Sequence, residues 1–144
     1  AGAPSAIGAP RTSTAPLSVV ARAAVARRPE APAVSQDVIQ DLVEMMGGEF
    51  TDLVRVYLED TPKSLAALER AASEGGLEGL VAPAHSLKST SANLGALALS
   101  DMAKAIEHGA RQGKLPNDPV VMVAEAQAEF RRVSEALRLM LGNP

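Results

Sequence analysis

The residue types best suited to chemistry lie in one stretch of the sequence, around His85. An imidazole is a competent nucleophile near neutral pH, because its ordinary pKa of about 6.5 leaves a substantial fraction of it uncharged. Lys88 follows one helical turn later and would supply a positive charge beside a group attached to the imidazole. A phosphoryl group brings about two negative charges and several acceptor oxygens, which Lys88 and the hydroxyl of Ser89 are suited to meet. The stretch therefore indicates a nucleophilic or phosphoryl-carrying histidine.

The helical period places His85 on an open flank of its helix. The inward stripe has spacings of three and four residues, and His85 lies beside it: Leu80, Ala84, Leu87, Ser91 and Leu94. Val81, Ser89 and Ala92 share the flank with His85 and are smaller than the side chains of an ordinary solvated face. A flat partner surface would be able to approach the imidazole there, so we predict that these three residues contact a docking partner.

The second histidine, His108, is predicted to be an ordinary surface residue. Its helical neighbours Lys104, Glu107 and Arg111 are all charged, as on a solvated face. Neither histidine has another histidine or a carboxylate at a convincing ligand spacing, and the chain has no cysteine. We therefore expect no metal site and no cofactor bound by this chain itself.

Composition indicates which elements position His85. The 144 residues are 47% hydrophobic but only 2% aromatic, which favours aliphatic, packed helices over a sheet. Apolar residues recur with a period of 3.6, and the sequence predicts five helices. In order, these are a helix capped by Ser35 and ended by Gly47 and Gly48; a long helix to Gly75 that is kinked or divided at Thr61 and Pro62; a helix over about residues 77–94; a helix opened by Ser100 and Asp101 and closed near Gly113; and a last helix capped by Asn117 or Asp118, with Pro119 in its first turn.

The loops between these helices are short, which implies antiparallel neighbours. The predicted fold is therefore all-α, an antiparallel up-down four-helix bundle with an additional short N-terminal helix across one end.

Residues 1–34 differ from the rest of the chain in composition. They contain eleven Ala and five Pro and carry a net charge of +3, whereas residues 35–144 carry −6. We predict an Ala/Pro-rich linker over 1–34, in which residues 17–28 could form a short helix, and a bundle domain over 35–144. An acidic domain is a poor nucleic-acid binder, and no apolar run is long enough to span a membrane. Nothing resembles a secretory signal, so a cytoplasmic location is expected. Because the sequence has no initiator Met, we also expect that the chain is cut from a longer protein.

The segment that contains His85 resembles the signature of histidine phosphotransfer (HPt) domains of two-component phosphorelays. That signature is commonly A-H-x-L-K-G-x-S-x-x-x-G-A, and the sequence matches it at Ala84, His85, Leu87, Lys88, Ser91, Gly95 and Ala96. The order of helices from about residue 35 to 141 also suits the family. The resemblance implies that His85 accepts the phosphoryl group, that Lys88 is its electrostatic partner, and that Gly95 and Ala96 close a helical hairpin.

Two residues depart from the family pattern. Ser89 replaces a residue that is usually Gly, and it is still small enough to leave His85 accessible. Pro83 lies two residues before His85, where a proline inside a helix would cost about 3 kcal/mol but one in the first turn would cost little. Either the helix is kinked just before His85 or its regular part begins near Ala82.

By the same resemblance, Nε2 of His85 attacks an aspartyl phosphate on a receiver domain and passes the phosphoryl group to the aspartate of another receiver. The partners are then response-regulator receivers and upstream kinase or receiver modules, with Mg²⁺ on the receiver. No phosphate-binding G-x-x-x-x-G-K-[ST] loop is present, so we expect a phosphoryl carrier without autokinase activity. It would be either the C-terminal module of a hybrid sensor kinase or a free-standing protein. The alternatives are a helical adaptor that carries no phosphate and a four-helix metal or cofactor carrier.

Overall fold

The computed structural model describes residues 32–142. These residues form five α-helices, one 3₁₀ turn and no strand; in chain order they are α1 (Gln36–Met46), α2 (Glu49–Glu74), the 3₁₀ turn Glu78–Leu80, α3 (Val81–Asn93), α4 (Leu97–Gln112) and α5 (Pro119–Met140). Most of the predicted linker, including the possible helix at residues 17–28, lies outside the described residues. Its last residues, Ala33 and Val34, are buried in the apolar core. The domain boundary after residue 34 stays a prediction.

Two of the helices begin at N-cap residues that the sequence predicts. The Ser35 hydroxyl accepts a hydrogen bond from the Val38 N–H at 3.3 Å, and the Asp118 carboxylate accepts one from the Val120 N–H at 2.8 Å. Each satisfies an N–H group that a helix start leaves without a partner. Pro119 occupies the first position of α5, where its missing N–H costs nothing.

Pro62 does not divide α2, which runs unbroken from Glu49 to Glu74. A proline in a helix interior removes one backbone hydrogen bond, here to the carbonyl of Leu58. Pro62 is exposed, so that carbonyl lies toward the solvent side of the helix. Of the two alternatives left open by the sequence, the single helix is the one observed.

The predicted start of α4 at Ser100 is wrong by three residues, since the helix begins at Leu97. Ser100 is inside the helix, where its N–H bonds to the Ala96 carbonyl at 2.9 Å. Its hydroxyl does not cap the helix but donates to the carbonyl of Lys88 on α3, at 2.9 Å. In sequence the serine resembles a helix cap, because the carbonyl that it binds is 12 residues away in the chain.

The four long helices form the predicted bundle. α3 packs on α4, α4 on α5, α5 on α2 and α2 on α3, so each long helix has two neighbours, while α1 packs on α2. The core is aliphatic, as the composition indicates, and its largest fully buried side chains include Leu68, Leu80, Leu87, Leu94, Leu99, Ile106 and Leu137. The fold of the described residues is therefore the predicted all-α bundle, with an additional short helix, α1, before the four long ones.

Gly95 joins the α3–α4 turn to the start of α1. Its carbonyl accepts a hydrogen bond from the Ser35 N–H at 2.8 Å, and its φ of 76° lies in the left-handed region. A Cβ at this position would lie 2.9 Å from the Cβ of Val38 and 3.3 Å from the Ser35 nitrogen. The next residue, Ala96, is fully buried and bonds back to the Ser91 carbonyl at 2.8 Å. Both residues therefore lie in the helical hairpin turn where the sequence predicts them.

We expect Gly95→Ala to lower the free energy of unfolding by about 3 kcal/mol, because it combines a strained φ with a backbone and side-chain clash. Gly75→Ala is the matched control, since Gly75 also has a left-handed φ, of 84°, but a Cβ added there would meet nothing within 4 Å. That control should cost only about 1 kcal/mol. Urea unfolding followed by circular dichroism measures both, and equal losses would show that the close approach to α1 contributes nothing.

Candidate functional site

His85 lies near the start of α3, on the flank that the sequence predicts. Its neighbours Ala84 and Leu87 are buried, whereas 57% of the His85 side chain is exposed. Pro83 is the third residue of α3 and follows the 3₁₀ turn. In a first turn the backbone N–H groups have no helical acceptor, so Pro83 removes no hydrogen bond there. The regular helix thus begins just before Pro83, as in the second of the two alternatives, and His85 follows on uninterrupted α-helix.

Two cross-helix hydrogen bonds fix α3 between its neighbours. The Tyr57 hydroxyl of α2 pairs with the Ser91 hydroxyl at 2.8 Å inside the core, and Ser100 of α4 donates to the Lys88 carbonyl at 2.9 Å. Burial raises the pKa of Tyr57 to about 12, despite hydrogen bonds to Ser91 and Thr61 that lower it, so the phenol stays neutral. These bonds, together with the buried side chains of Ala84 and Leu87, define the rotation of α3 and therefore the direction of His85.

Glu107 of α4 is the direct partner of His85. Its Oε2 lies 2.9 Å from the imidazole Nδ1, and only 6% of the Glu107 side chain is exposed. From the sequence, Glu107 is only a charged neighbour of His108, and the spacing of residues does not predict this contact. A signal was present, because Glu107 falls one turn after Ala103 and one turn before Ala110, on the buried side of α4.

Two cations share the carboxylate of Glu107 with His85. The Lys88 Nζ lies 2.6 Å from Oε1, while Nη2 and Nε of Arg111 lie 2.7 and 3.2 Å from Oε2. The hydrogen bond from Lys88, then that from Arg111, lowers the pKa of Glu107 from 4.5 to about 2, although burial alone would raise it. Glu107 is therefore ionised at neutral pH.

An ionised carboxylate has no proton to donate, so the proton of its contact with His85 must be on Nδ1. In the neutral imidazole, Nε2 then carries the lone pair and is the nucleophilic nitrogen. This is the tautomer that the chemistry proposed from the sequence requires and that the sequence does not reveal. The geometry presents an exposed imidazole with a defined nucleophilic atom.

Lys88 contacts Glu107 in this structure, and 32% of its side chain is exposed. The sequence predicts that its charge lies beside a group attached to the imidazole. The observed ion pair holds the ammonium group one helical turn from His85, so the predicted partnership with a phosphoryl group stays a prediction.

The predicted docking residues differ in their exposure. Ser89 and Ala92 are exposed, whereas Val81 is half-buried and packs against the core. Their contact with a partner stays a prediction. His108 is exposed, in agreement with its prediction as a surface residue.

The described part of the chain offers neither a metal cluster nor a membrane span. Over residues 32–142 there is no cluster of three or more histidine, cysteine or acidic side chains that could hold a metal ion. None of the described helices is both long enough and apolar enough to span a bilayer.

Glu107 and its three partners His85, Lys88 and Arg111 form what we call the Glu107 cluster. The acid dependence of stability provides a test of this cluster. Because the pKa of Glu107 is lower in the folded chain than its ordinary 4.5, its ion pairs stabilise the fold fully above that value. The stabilisation is lost as the pH falls through the folded pKa of about 2. We expect Glu107→Gln to flatten the decline in unfolding free energy between about pH 5 and pH 2. Urea unfolding across that range measures it, and an unchanged slope would contradict the assignment; Asp101→Asn, exposed on the same helix, is the control.

Comparison with known proteins agrees with this geometry. The family model described as Hpt domain matches residues 52–142. The crystal structure of histidine-containing phosphotransfer protein B from Pseudomonas aeruginosa PAO1 is similar, with 30% sequence identity and a TM-score of 0.71, over 76% of this chain and 95% of that one. A comparison with curated proteins gives no match. The resemblance read from the sequence is confirmed, and the chain belongs to the Hpt domain family, the histidine phosphotransfer domains of phosphorelays.

Proposed function

We propose that His85 is the residue of this Hpt domain that accepts and donates the phosphoryl group, through Nε2. The observation that carries the proposal is the hydrogen bond between Nδ1 and Glu107, at 2.9 Å, on an imidazole that is 57% exposed. It provides both requirements of a phosphoryl carrier, namely a defined nucleophilic nitrogen and access for a partner. The other histidine, His108, is exposed but has no hydrogen bond with a carboxylate among the described residues.

In the proposed step, the Nε2 lone pair attacks the phosphorus of an aspartyl phosphate. The bond between phosphorus and the carboxylate oxygen breaks, its electron pair stays on the aspartate, and an Nε2–phosphorus bond forms. The ring retains the proton on Nδ1 and gains positive charge as the bond forms. The buried carboxylate of Glu107 faces that charge and stabilises it more in the transition state than in the free imidazole. Transfer to a second receiver reverses these steps.

Lys88 is the proposed charge partner of the phosphoryl group. Its ammonium group lies 2.6 Å from Oε1 of Glu107, the carboxylate whose other oxygen contacts the imidazole. Phosphoryl transfer depends mainly on alignment and charge neutralisation, which a flexible ammonium group can supply.

The partners of the proposed reaction are receiver domains of response regulators. Hpt domains interact with receivers in phosphorelays, and we propose Val81, Ser89 and Ala92 as the contact around His85 in a small, transient interface. The receiver would bring Mg²⁺, the acceptor aspartate and its own lysine. We further propose a carrier without autokinase activity that acts in the cytoplasm. The Ala/Pro-rich segment before Ala33 would tether it to upstream kinase or receiver modules of a hybrid sensor kinase.

The proposal is tested by mixing the protein with a phosphorylated receiver and following the phosphoryl group. We expect the chain to gain a phosphate that is labile in acid and stable in base, as a phosphoramidate is, and that fragmentation in a mass spectrometer assigns to His85. A receiver that binds the chain but transfers no phosphate to it would favour the adaptor alternative and contradict the proposal.

A further inference from the structure

Arg111 belongs to the Glu107 cluster but has no part in the transfer step described above. Its Nη2 and Nε contact Oε2 of Glu107 at 2.7 and 3.2 Å, and the same oxygen accepts the hydrogen bond from Nδ1 of His85 at 2.9 Å. Since both groups contact one oxygen, Nη2 lies within about 6 Å of Nδ1. The Arg111 side chain is 57% exposed. A flexible guanidinium group is thus held beside the imidazole with room to move.

The antiparallel hairpin places Lys88 and Arg111 on different sides of His85. Lys88 follows His85 by three residues on α3 and therefore lies about 4.5 Å closer to the α3–α4 turn. Arg111 follows Glu107 by four residues on α4, which runs the other way, and so lies about 6 Å further from that turn. Along the bundle axis, the pair of His85 and Glu107 is flanked by a cation on each side.

The net positive charge around His85 and the unused N–H groups of Arg111 would allow an anion to bind beside the imidazole. Lys88 and Arg111 together carry two positive charges against the single negative charge of Glu107. Arg111 uses Nε and Nη2 on one oxygen, and its other N–H groups make no hydrogen bond with any residue in the range 32–142. A phosphoryl group on Nε2 would add about two negative charges and three acceptor oxygens between these cations.

We propose that Arg111 binds the phosphoryl group on His85 as a second cation, opposite Lys88; this rests on the function proposed above. The guanidinium group has a planar fork of N–H donors that matches phosphoryl oxygens. Glu107 holds that fork at the site before the phosphoryl group arrives, so less side-chain freedom is lost on binding. When the phosphoryl group is present, Arg111 donates from the N–H groups that Glu107 leaves unused.

Phosphoramidate tests this without a receiver, so that docking does not enter the measurement. Nε2 attacks its phosphorus, the phosphorus–nitrogen bond breaks, and ammonia leaves with the electron pair. The second-order rate constant for phosphorylation of the full chain is measured by intact-mass spectrometry. We expect Arg111→Gln to lower it about fivefold, as for a partly exposed charge-assisted contact, and Arg111→Lys to recover part of the loss. Arg131→Gln, an equal charge change on α5, should leave it unchanged.

A second measurement separates phosphoryl binding from a purely structural role. Nitrogen-15 NMR of the imidazole reports which ring nitrogen carries the proton, and Arg111→Gln should not change it, because Lys88 still holds Glu107. An unchanged rate constant, or a loss accompanied by a change of tautomer, would overturn the role of Arg111 while His85 remained the acceptor. If the wild-type chain acquired no phosphoryl group at His85, the proposed function itself would fail.

Discussion

His85→Gln is expected to abolish uptake of phosphate from a phosphorylated receiver. An amide nitrogen is not a nucleophile, because its lone pair is delocalised into the carbonyl group. Glutamine is polar and still able to donate a hydrogen bond to Glu107, so the buried carboxylate keeps a partner and the bundle should keep its stability to within about 0.5 kcal/mol. We expect a loss of transfer on the order of 1,000-fold or more, limited by detection, as for removal of a reaction nucleophile.

The measurement follows loss of phosphate from the receiver and its gain by the chain over time. His108→Gln is the matched control, since it makes the same substitution at an exposed histidine on the adjacent helix, and it should transfer at the wild-type rate. Urea unfolding of both variants shows whether the fold is intact. Phosphate uptake that persists in a folded His85→Gln chain would place the acceptor elsewhere.

Local signals in the sequence are sufficient to predict the five helices of the described residues and the exposed helix face on which His85 lies. Ser35 and Asp118 begin helices as expected, because a cap satisfies N–H groups only two or three residues away. The exposed position of His85 followed from the apolar period of a single helix. The consequence of Pro83 depended on where that helix begins, and the 3₁₀ turn before it is not apparent from sequence.

Cross-helix partners were beyond the same reasoning. Glu107 is 22 residues from His85, and their contact depends on the rotation of α3 against α4. The hydrogen bond from Ser100 to the Lys88 carbonyl and the one between Tyr57 and Ser91 contribute to that rotation, and in sequence Ser100 resembles a helix cap instead. A buried acidic residue on an apolar stripe does indicate a required partner, because an unpaired charge is costly to bury. It does not identify which cation or imidazole supplies that partner.

The placement of Glu107 has a consequence for how the site works between transfer events. One carboxylate holds the proton of His85 on Nδ1 and also holds Lys88 and Arg111 beside the ring. Charged groups that are already positioned need little reorganisation when phosphate arrives. The receiver therefore meets a site whose proton and cations are arranged in advance, on helices that the core keeps rigid.

Glu107→Ala is accordingly expected to lower the rate of phosphoryl transfer on the order of 100-fold while leaving His85 in place. Without the carboxylate, nothing keeps the proton on Nδ1, and the charge that develops on the ring loses its counter-ion. Nitrogen-15 NMR should show a shift of the neutral imidazole toward the tautomer with its proton on Nε2, in which Nε2 has no free lone pair to attack phosphorus. Lys88 and Arg111 also lose their shared partner and become free to turn toward solvent.

Glu107→Gln separates these contributions, because its amide oxygen can still accept from Nδ1 but carries no charge. We expect it to keep the wild-type tautomer and to lose about tenfold in rate, an intermediate effect that reflects the missing charge. Asp101→Ala, which removes one exposed acidic group from the same helix, should transfer at the wild-type rate. A folded Glu107→Ala chain with unchanged tautomer and rate would mean that the 2.9 Å contact does not direct the reaction. A loss in Asp101→Ala equal to that in Glu107→Ala would instead attribute the effect to the overall charge of α4.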